Sequence, residues 1–299
     1  MSMVAKGYMG KILRVDLSRR KVIIEDTEEE QAKKYIGGSG LGAKILFEET
    51  SVETNPLGSE NLLIFAVGLL TGTRVFSSDR SEVIAKSPAT GIYCEANCGG
   101  HWGEKFKRCG YDALVIQGKA EVPVYLSIDE DQVEIKDASH LWGKDTFEAA
   151  KILKEERSES AQVAAIGQAG ENLVKFAAIM TDGEHGRAAG RGGLGAVMGS
   201  KKLKAIVVNG KRKVDIAQEE KFNNLLRKIV PTMKTDPQAL AQFGTSAGLV
   251  LCENIGDLPI KNWYQGKWEQ GAGKICGPTM AKTILAGRYA CGRCVIGCA

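Results

Sequence analysis

Histidine is nearly absent: only His101, His140 and His185 occur in 299 residues, and they are scattered. That excludes a His-based metal site, and no Ser-His-Asp or Cys-His arrangement can be recovered from the spacing, so nothing points to a hydrolase. Long apolar runs are lacking too. No stretch reaches the roughly 18 residues of a membrane span, and residues 1–13 lack the apolar core of a signal peptide. The expectation is a cytoplasmic protein without a membrane segment. Charge of one sign is also missing, with 40 Lys and Arg against 36 Asp and Glu, a net +4 spread along the chain. A nucleic-acid binder would concentrate its basic residues on one face, so no nucleic-acid partner is expected. Cysteine is sparse as well: eight in so long a chain cannot form a disulfide scaffold.

What cysteine there is falls unevenly. Cys94 and Cys98 sit together, Cys109, Cys252 and Cys276 stand alone, and Cys291, Cys294 and Cys298 cluster. The isolated ones read as small buried hydrophobes. The run Cys291-Gly-Arg-Cys294-Val-Ile-Gly-Cys298 is different. A C-x2-C-x3-C spacing brings three soft ligands to one turn, as an iron–sulfur cluster needs. A cubane takes a fourth ligand, so either it comes from elsewhere, for example a C-terminal partner polypeptide, or the chain is the front part of a longer protein. Zinc is the alternative, with Cys276 completing an all-cysteine tetrahedral site. The absence of a second C-x2-C pair favours iron–sulfur.

The length allows two domains, and the pattern changes near Gly210. Before it the chain is strand-rich with scattered helices. Residues 9–26 read as a hairpin, 28–35 and 40–49 as helices, 62–67 and 82–85 as strands. A helix carries Trp102, Phe106 and Cys109 on one face. Strands are predicted over 113–117, 122–128, 132–135, 162–166, 175–180 and 203–208, and a helix over 147–156. After it, 218–233 is helical with Pro231 bending or ending it, 237–251 is a helix interrupted near Gly244, 253–275 is a loop, and 279–285 is a last helix. The fold class is α+β over residues 1–210, followed by the start of a mostly α-helical domain over 211–299.

The second strong feature is Gly183-Glu-His-Gly-Arg187-Ala-Ala-Gly190-Arg191-Gly192-Gly193-Leu-Gly195. Glycines let backbone N–H groups approach an anion, and Arg187 and Arg191 add bidentate phosphate donors. The G-x-G-x-x-G match is weak by itself, because Gly199 and Ser200 stop the segment where a dinucleotide fold needs a long helix. An anion-binding loop is expected; a glycine-rich turn with solvated arginines is the bland alternative. Gly37-Gly-Ser-Gly40-Leu-Gly42 is explained equally by helix ends and close packing. Asn97-Cys-Gly99-Gly100 either presents backbone groups to a ligand or is a tight turn.

With these stretches together, the chain resembles the aldehyde ferredoxin oxidoreductase family of tungsten (or molybdenum) bis-pterin enzymes. The likeness spans essentially the whole chain. It includes Gly10-Lys-Ile-Leu-Arg-Val-Asp-Leu17, Tyr35-Ile-Gly-Gly-Ser-Gly-Leu-Gly42, Leu70-Thr-Gly-Thr73 and Lys86-Ser-Pro-Ala-Thr-Gly91. It continues through Cys109-Gly-Tyr-Asp112, Ala138-Ser-His140, Ile166-Gly-Gln-Ala-Gly-Glu-Asn172, Arg187-Ala-Ala-Gly-Arg-Gly-Gly-Leu-Gly-Ala-Val-Met-Gly199 and the terminal cysteines.

The resemblance implies an N-terminal α+β domain that is the base for two pterins, followed by helical domains. It implies a metal held by the pterin dithiolenes and a [4Fe–4S] cluster beside one pterin. Cys291, Cys294 and Cys298 match three cluster ligands, and the family's fourth cysteine lies beyond this sequence. Arg80 matches the arginine between cluster and pterin. Asn97 and Ala188 match positions whose backbone carbonyls bind the Mg2+ bridging the pterin phosphates, and Gly99, Arg187, Gly190 and Arg191 match further pterin contacts. No catalytic residue is singled out. The implied reaction is oxidation of an aldehyde to a carboxylate, with electrons passing to ferredoxin or an electron-transfer subunit, in a homo-oligomer. The alternatives are a benzoyl-CoA-reductase-type subunit and an inactive or split iron–sulfur module. The sequence departs from the aldehyde-oxidising members at three places. Ser78-Asp79-Arg80 stands where they carry Gly-Gly-Arg, Cys98 replaces a serine, and one extra residue precedes Arg187.

Overall fold

A computed structural model describes residues 5–235 and 238–298. The chain divides into two compact units, Met1–Ala217 and Gln218–Ala299. Residues 211–217 stay tied to the first unit. Arg212 N donates to Arg108 O (3.1 Å), Lys6 pairs with Asp215 (2.5 Å), and Val214 is buried.

In the first unit the elements are β1 (Lys11–Asp16), β2 (Lys21–Asp26), α1 (Glu29–Tyr35), α2 (Gly38–Glu49), β3 (Leu63–Val67), β4 (Ser81–Lys86), β5 (Tyr93–Cys98) and α3 (Trp102–Arg108). Then come β6 (Ala113–Gln117), β7 (Val124–Asp129), β8 (Gln132–Asp137), α4 (Thr146–Arg157), β9 (Gln162–Ala165), α5 (Gln168–Glu171), β10 (Ile179–Thr181), β11 (Arg187–Ala189), α6 (Leu194–Ser200) and β12 (Leu203–Val208). They build two six-stranded mixed sheets, ordered β2-β1-β6-β3-β4-β5 and β11-β10-β9-β12-β7-β8. The α+β expectation is met.

Strand alternation sorts the side chains into layers. Val83 and Ala85 of β4 point into a core shared by both sheets, where Phe65, Leu114, Leu126 and Ile206 meet Trp102 and Phe106 of α3 and Leu194, Val197 and Met198 of α6. Ile84 points the other way, against Leu41, Ile45 and Leu46 of α2. The outer face of the second sheet is covered by Ala150 and Leu153 of α4. Trp102 anchors the middle layer: its indole N–H donates to Ile206 O (3.2 Å) and its ring stacks on Phe106 at 5.2 Å. An aromatic with a satisfied polar edge can be buried whole at little cost.

Three buried lysines hold the loops at the sheet ends. Lys107 pairs with Asp112 at 2.5 Å, while Asp112 accepts from Met9 N and Gly10 N. Lys204 pairs with Glu171 and donates to Lys144 O (2.7 Å). Lys201 has no carboxylate in contact among the described residues; its ammonium donates to the carbonyls of Ser59 (3.3 Å), Asn61 (2.5 Å) and Gly118 (3.2 Å).

Several sequence expectations need correction. β5 and β11 are strands that the sequence reading does not contain. The strand expected over 175–180 is confined to Ile179–Thr181, because Ala177 O accepts from Gly195 N (2.9 Å) and is unavailable to a ladder. In the second unit the elements are α7 (Glu219–Thr235), α8 (Gln238–Phe243), α9 (Leu249–Asn254), α10 (Glu269–Ile275) and α11 (Gly277–Thr283). α7 runs on through Pro231 rather than ending there. The break at Gly244 is present, with positive φ (62°). The supposed loop 253–275 contains α10, fastened where Glu253 Oε1 accepts from Trp268 N (2.5 Å). Pro237 and Ala299 lie outside the described residues. No helix among the described residues is long and apolar enough to cross a membrane.

Candidate functional site

The edge strands β5 and β11, one from each sheet, lie side by side. This juxtaposition gathers most of the sequence candidates of the first unit. Asn97 is on β5, Gly99 follows it, Arg187 and Ala188 are on β11, and Gly190 and Arg191 lead out of β11. An edge strand keeps backbone groups that no ladder uses, so two neighbouring edges can offer N–H and C=O to a ligand. Asn97, Ala188, Gly190 and Arg191 are exposed and Arg187 is half-buried.

Asp182 fastens the junction. Its carboxylate accepts from His101 N through Oδ1 (3.0 Å) and Oδ2 (3.1 Å), and Cys98 Sγ lies 3.5 Å from Thr181 Oγ1. Gly100 has φ of +100°, and a Cβ there would stand 2.0 Å from Asp182 Oδ2. The backbone N–H that meets an anion just after this stretch is that of His101, and the anion is the chain's own Asp182.

The glycine-rich loop divides by role. At Gly193 (φ +71°) a Cβ would meet Lys175 O at 2.1 Å, and at Gly192 it would meet Cys94 Sγ at 2.0 Å. Ser87 Oγ donates to Gly192 O (2.7 Å). These two glycines serve close packing between the loop and the β4–β5 turn. Gly190 differs: a Cβ there would touch only Ala188 Cβ at 3.7 Å, so packing does not demand its glycine. The open space beside Gly190 is what an approaching ligand would use. Arg191 forms no ion pair among the described residues.

Arg80 joins the same place from the start of β4. The β4–β5 register puts Glu82 opposite Asn97. Arg80 Nε donates to Asn97 Oδ1, and Asn97 Nδ2 donates to Glu82 Oε1. The terminal nitrogens of Arg80 make no hydrogen bond among the described residues. Burial raises the Glu82 carboxyl above its usual range, against the Asn97 hydrogen bond and with help from Glu95. Burial likewise raises the Cys94 thiol. Three cationic side chains, open edge backbone and a glycine with free space beside it fit a phosphate-bearing cofactor.

The remaining candidates lie in the second unit. Cys291 and Cys294 share a turn, with Cys294 N donating to Cys291 O (3.0 Å), and Ile296 N donates to Cys294 Sγ (3.4 Å). Backbone N–H donors to sulfur suit cluster ligands. Cys298 lines a cavity of about 330 Å³ together with Gly244, Met280 and Arg288. Among the described residues no three His, Cys, Asp or Glu side chains already converge as a metal set. Metal sites assemble with their metal, so what the structure supplies is the shared turn. Cys276 is elsewhere occupied, donating to Gly273 O (3.2 Å). Sequence reasoning missed Glu82 and Asp182, which carry no motif; only strand register and the β5–β11 contact bring them to the site.

Two mixed sheets with adjacent edge strands, leading into a cysteine-bearing helical unit, define an α+β protein. The chain belongs to the aldehyde ferredoxin oxidoreductase family. Residues 12–210 match the model of that family's N-terminal domain and residues 224–299 the model of its domains 2 and 3. It is 46% identical over 296 residues to the tungsten-containing aldehyde ferredoxin oxidoreductase of Pyrococcus furiosus, covering 98% of this chain and 48% of that one. It is 38% identical over 277 residues to an aliphatic sulfonate oxidoreductase, WOR-like subunit, of the same organism, covering 87% of this chain and 44% of that one. Among solved structures it is similar to the active-site complex BamBC of benzoyl coenzyme A reductase with 1,5-dienoyl-CoA. The TM-score is 0.84 at 32% identity, covering 98% of this chain and 47% of that one. The chain spans about half the length of the curated relatives it matches.

Proposed function

We propose that the β5–β11 junction holds a tungsten (or molybdenum) bis-pterin and that the protein oxidises aldehydes. The observation that carries this is the gathering of Arg80, Asn97, Gly99, Arg187, Ala188, Gly190 and Arg191 at one pair of sheet edges in a member of this family. Arg187 and Arg191 bind the pterin phosphates as charge-assisted donors. The backbone carbonyls of Asn97 and Ala188 would offer oxygens to an Mg2+ ion accompanying the phosphates. Arg80 would offer its terminal nitrogens to the anionic pterin. Two-electron redox chemistry is what the bound tungstopterin supplies. In the net reaction an aldehyde and water give a carboxylate, three protons and two electrons. Cys291, Cys294 and Cys298 would supply three thiolates to a [4Fe–4S] cluster, and such a cluster would supply electron transfer toward ferredoxin or an electron-transfer subunit.

The helical unit leaves Leu251, Ile255, Trp263, Tyr264 and Ile284 exposed. Exposed apolar side chains in this number support further polypeptide covering the unit, and the resemblance gives the fourth cluster cysteine to sequence beyond that given. A benzoyl-CoA-reductase-type subunit is the second reading, favoured by Ser78-Asp79-Arg80 and by the likeness to the BamBC complex. The deciding experiment is elemental analysis with pterin fluorescence on anaerobically purified protein, followed by assay with aldehydes and with aromatic CoA esters. Tungsten or molybdenum with pterin and iron supports the proposal; zinc alone, or iron without pterin, overturns it.

A further inference from the structure

Glu82 has no part in the reading above, yet it lies against two residues that do. The strand register sets it opposite Asn97, whose amide bridges it to Arg80. A carboxylate can only accept hydrogen bonds, whereas an amide can turn either end toward a neighbour. With Glu82 on one side and the Arg80 guanidinium on the other, Asn97 has one satisfying orientation, NH2 toward Glu82 and oxygen toward Arg80. Glu82 forms no ion pair among the described residues, and its second oxygen is buried without a hydrogen-bond partner. Gly38 of α2 closes over it, with space for a Cβ only 3.7 Å from Glu82 Cγ. A half-buried carboxylate kept in this way is not there for its own stability.

We propose that Glu82 is a positioning residue: it fixes the Asn97 amide, which holds Arg80 by Nε alone and leaves the guanidinium's terminal nitrogens for an anionic cofactor. This rests on the tungstopterin reading for the identity of the anion, but not for the positioning itself. The consequence reaches the cofactor through geometry. An arginine held by Nε presents its two remaining NH2 groups in a fixed fork, and a fork that wanders loses the bidentate contact.

The test compares Glu82→Ala and Glu82→Gln in the full chain. Glutamine still offers an oxygen to Asn97 Nδ2, whereas alanine offers nothing, and both remove the charge. The first readout is hydrogen exchange at the Arg80 Nε–H, followed by NMR and assigned with Arg80→Lys. Exchange should quicken about fivefold or more in Glu82→Ala, the factor that one lost hydrogen bond corresponds to, and return toward wild type in Glu82→Gln. Asn97→Ala, which leaves Glu82 in place, should lose the protection as Glu82→Ala does, and it serves where the alanine variant fails to fold. The second readout is pterin retained by anaerobically purified protein, expected to fall about fivefold in Glu82→Ala and to hold in Glu82→Gln. Equal Arg80 exchange in all variants overturns the proposal. So does a glutamine variant that behaves as the alanine one, since the charge and not the orientation would then matter. A wild-type chain without pterin whose Arg80 exchange still follows the expected pattern overturns the cofactor reading and upholds the positioning role.

Discussion

Lys201 gives the sharpest physical test of this fold. Its side chain is fully buried, and its ammonium rests on three carbonyls with no carboxylate in contact among the described residues. Burial lowers its pKa from 10.5 to about 8, against weaker attractions from Glu60 and Asp16. Because the folded value lies below the unfolded one, the folded state gives up its proton first. Between pH 8 and 10.5 the unfolded chain holds more protons, so this group adds stability as pH rises and withdraws it as pH falls through 8. From pH 7 to pH 9.5 the gain amounts to about 2 kcal/mol. Other lysines and tyrosines titrate near the top of that range, so the measurement is a difference between wild type and Lys201→Met, which keeps the length and removes the titration. Urea unfolding of both, followed at Trp102 with Trp142, Trp263 and Trp268 replaced by Phe, should show wild type gaining on the variant across that window. Parallel curves for the two proteins would refute the reasoning, and would mean that water or a carboxylate reaches the ammonium.

Gly193→Ala should lower stability by about 2 kcal/mol or more, read as a fall in Tm, since it combines a positive φ with a carbonyl 2.1 Å from the new Cβ. Gly190→Ala should stay within about 0.5 kcal/mol of wild type while weakening pyrophosphate binding measured by calorimetry. Lys107→Met should cost about 3–5 kcal/mol in urea unfolding, because it leaves Asp112 buried with its charge uncompensated. Cys294→Ser should bring iron in anaerobically purified protein down to background while leaving the Trp102 unfolding transition of the first unit in place.

Much of the fold could be read where local pattern and burial agree. β3 is five apolar residues and is buried at every one, and the β1–β2 hairpin pairs as it reads, although Ile12 and Leu13 are buried side by side where strict alternation would expose one. β5 could not be read, because Tyr93-Cys-Glu-Ala-Asn-Cys98 carries too little apolar signal; its pairing to β4 makes it a strand, not its composition. β11, with three residues, is shorter than any periodicity window. α10 lies in a stretch that reads as loop from Pro259, Trp263 and Trp268, while the Trp268–Glu253 hydrogen bond fixes its start. At the site, Arg187, Gly190 and Arg191 were visible as a glycine–arginine loop and Cys291, Cys294 and Cys298 as a ligand spacing. That Gly192 and Gly193 pack against Cys94 and Lys175 was not.

The sequence by itself determined that this is an α+β chain with a glycine–arginine loop and a cysteine run. Residue type and spacing are local properties, and the chemistry of arginine, glycine and thiol follows from them. Only the tertiary structure decided that the two sheets meet edge to edge at β5 and β11, and that Arg80, Asn97 and Glu82 form one chain of hydrogen bonds beside that meeting. It also decided that Asp182 fills the Gly100 turn. Those relations join residues up to about a hundred positions apart, and they depend on strand register and close packing, which no local pattern encodes.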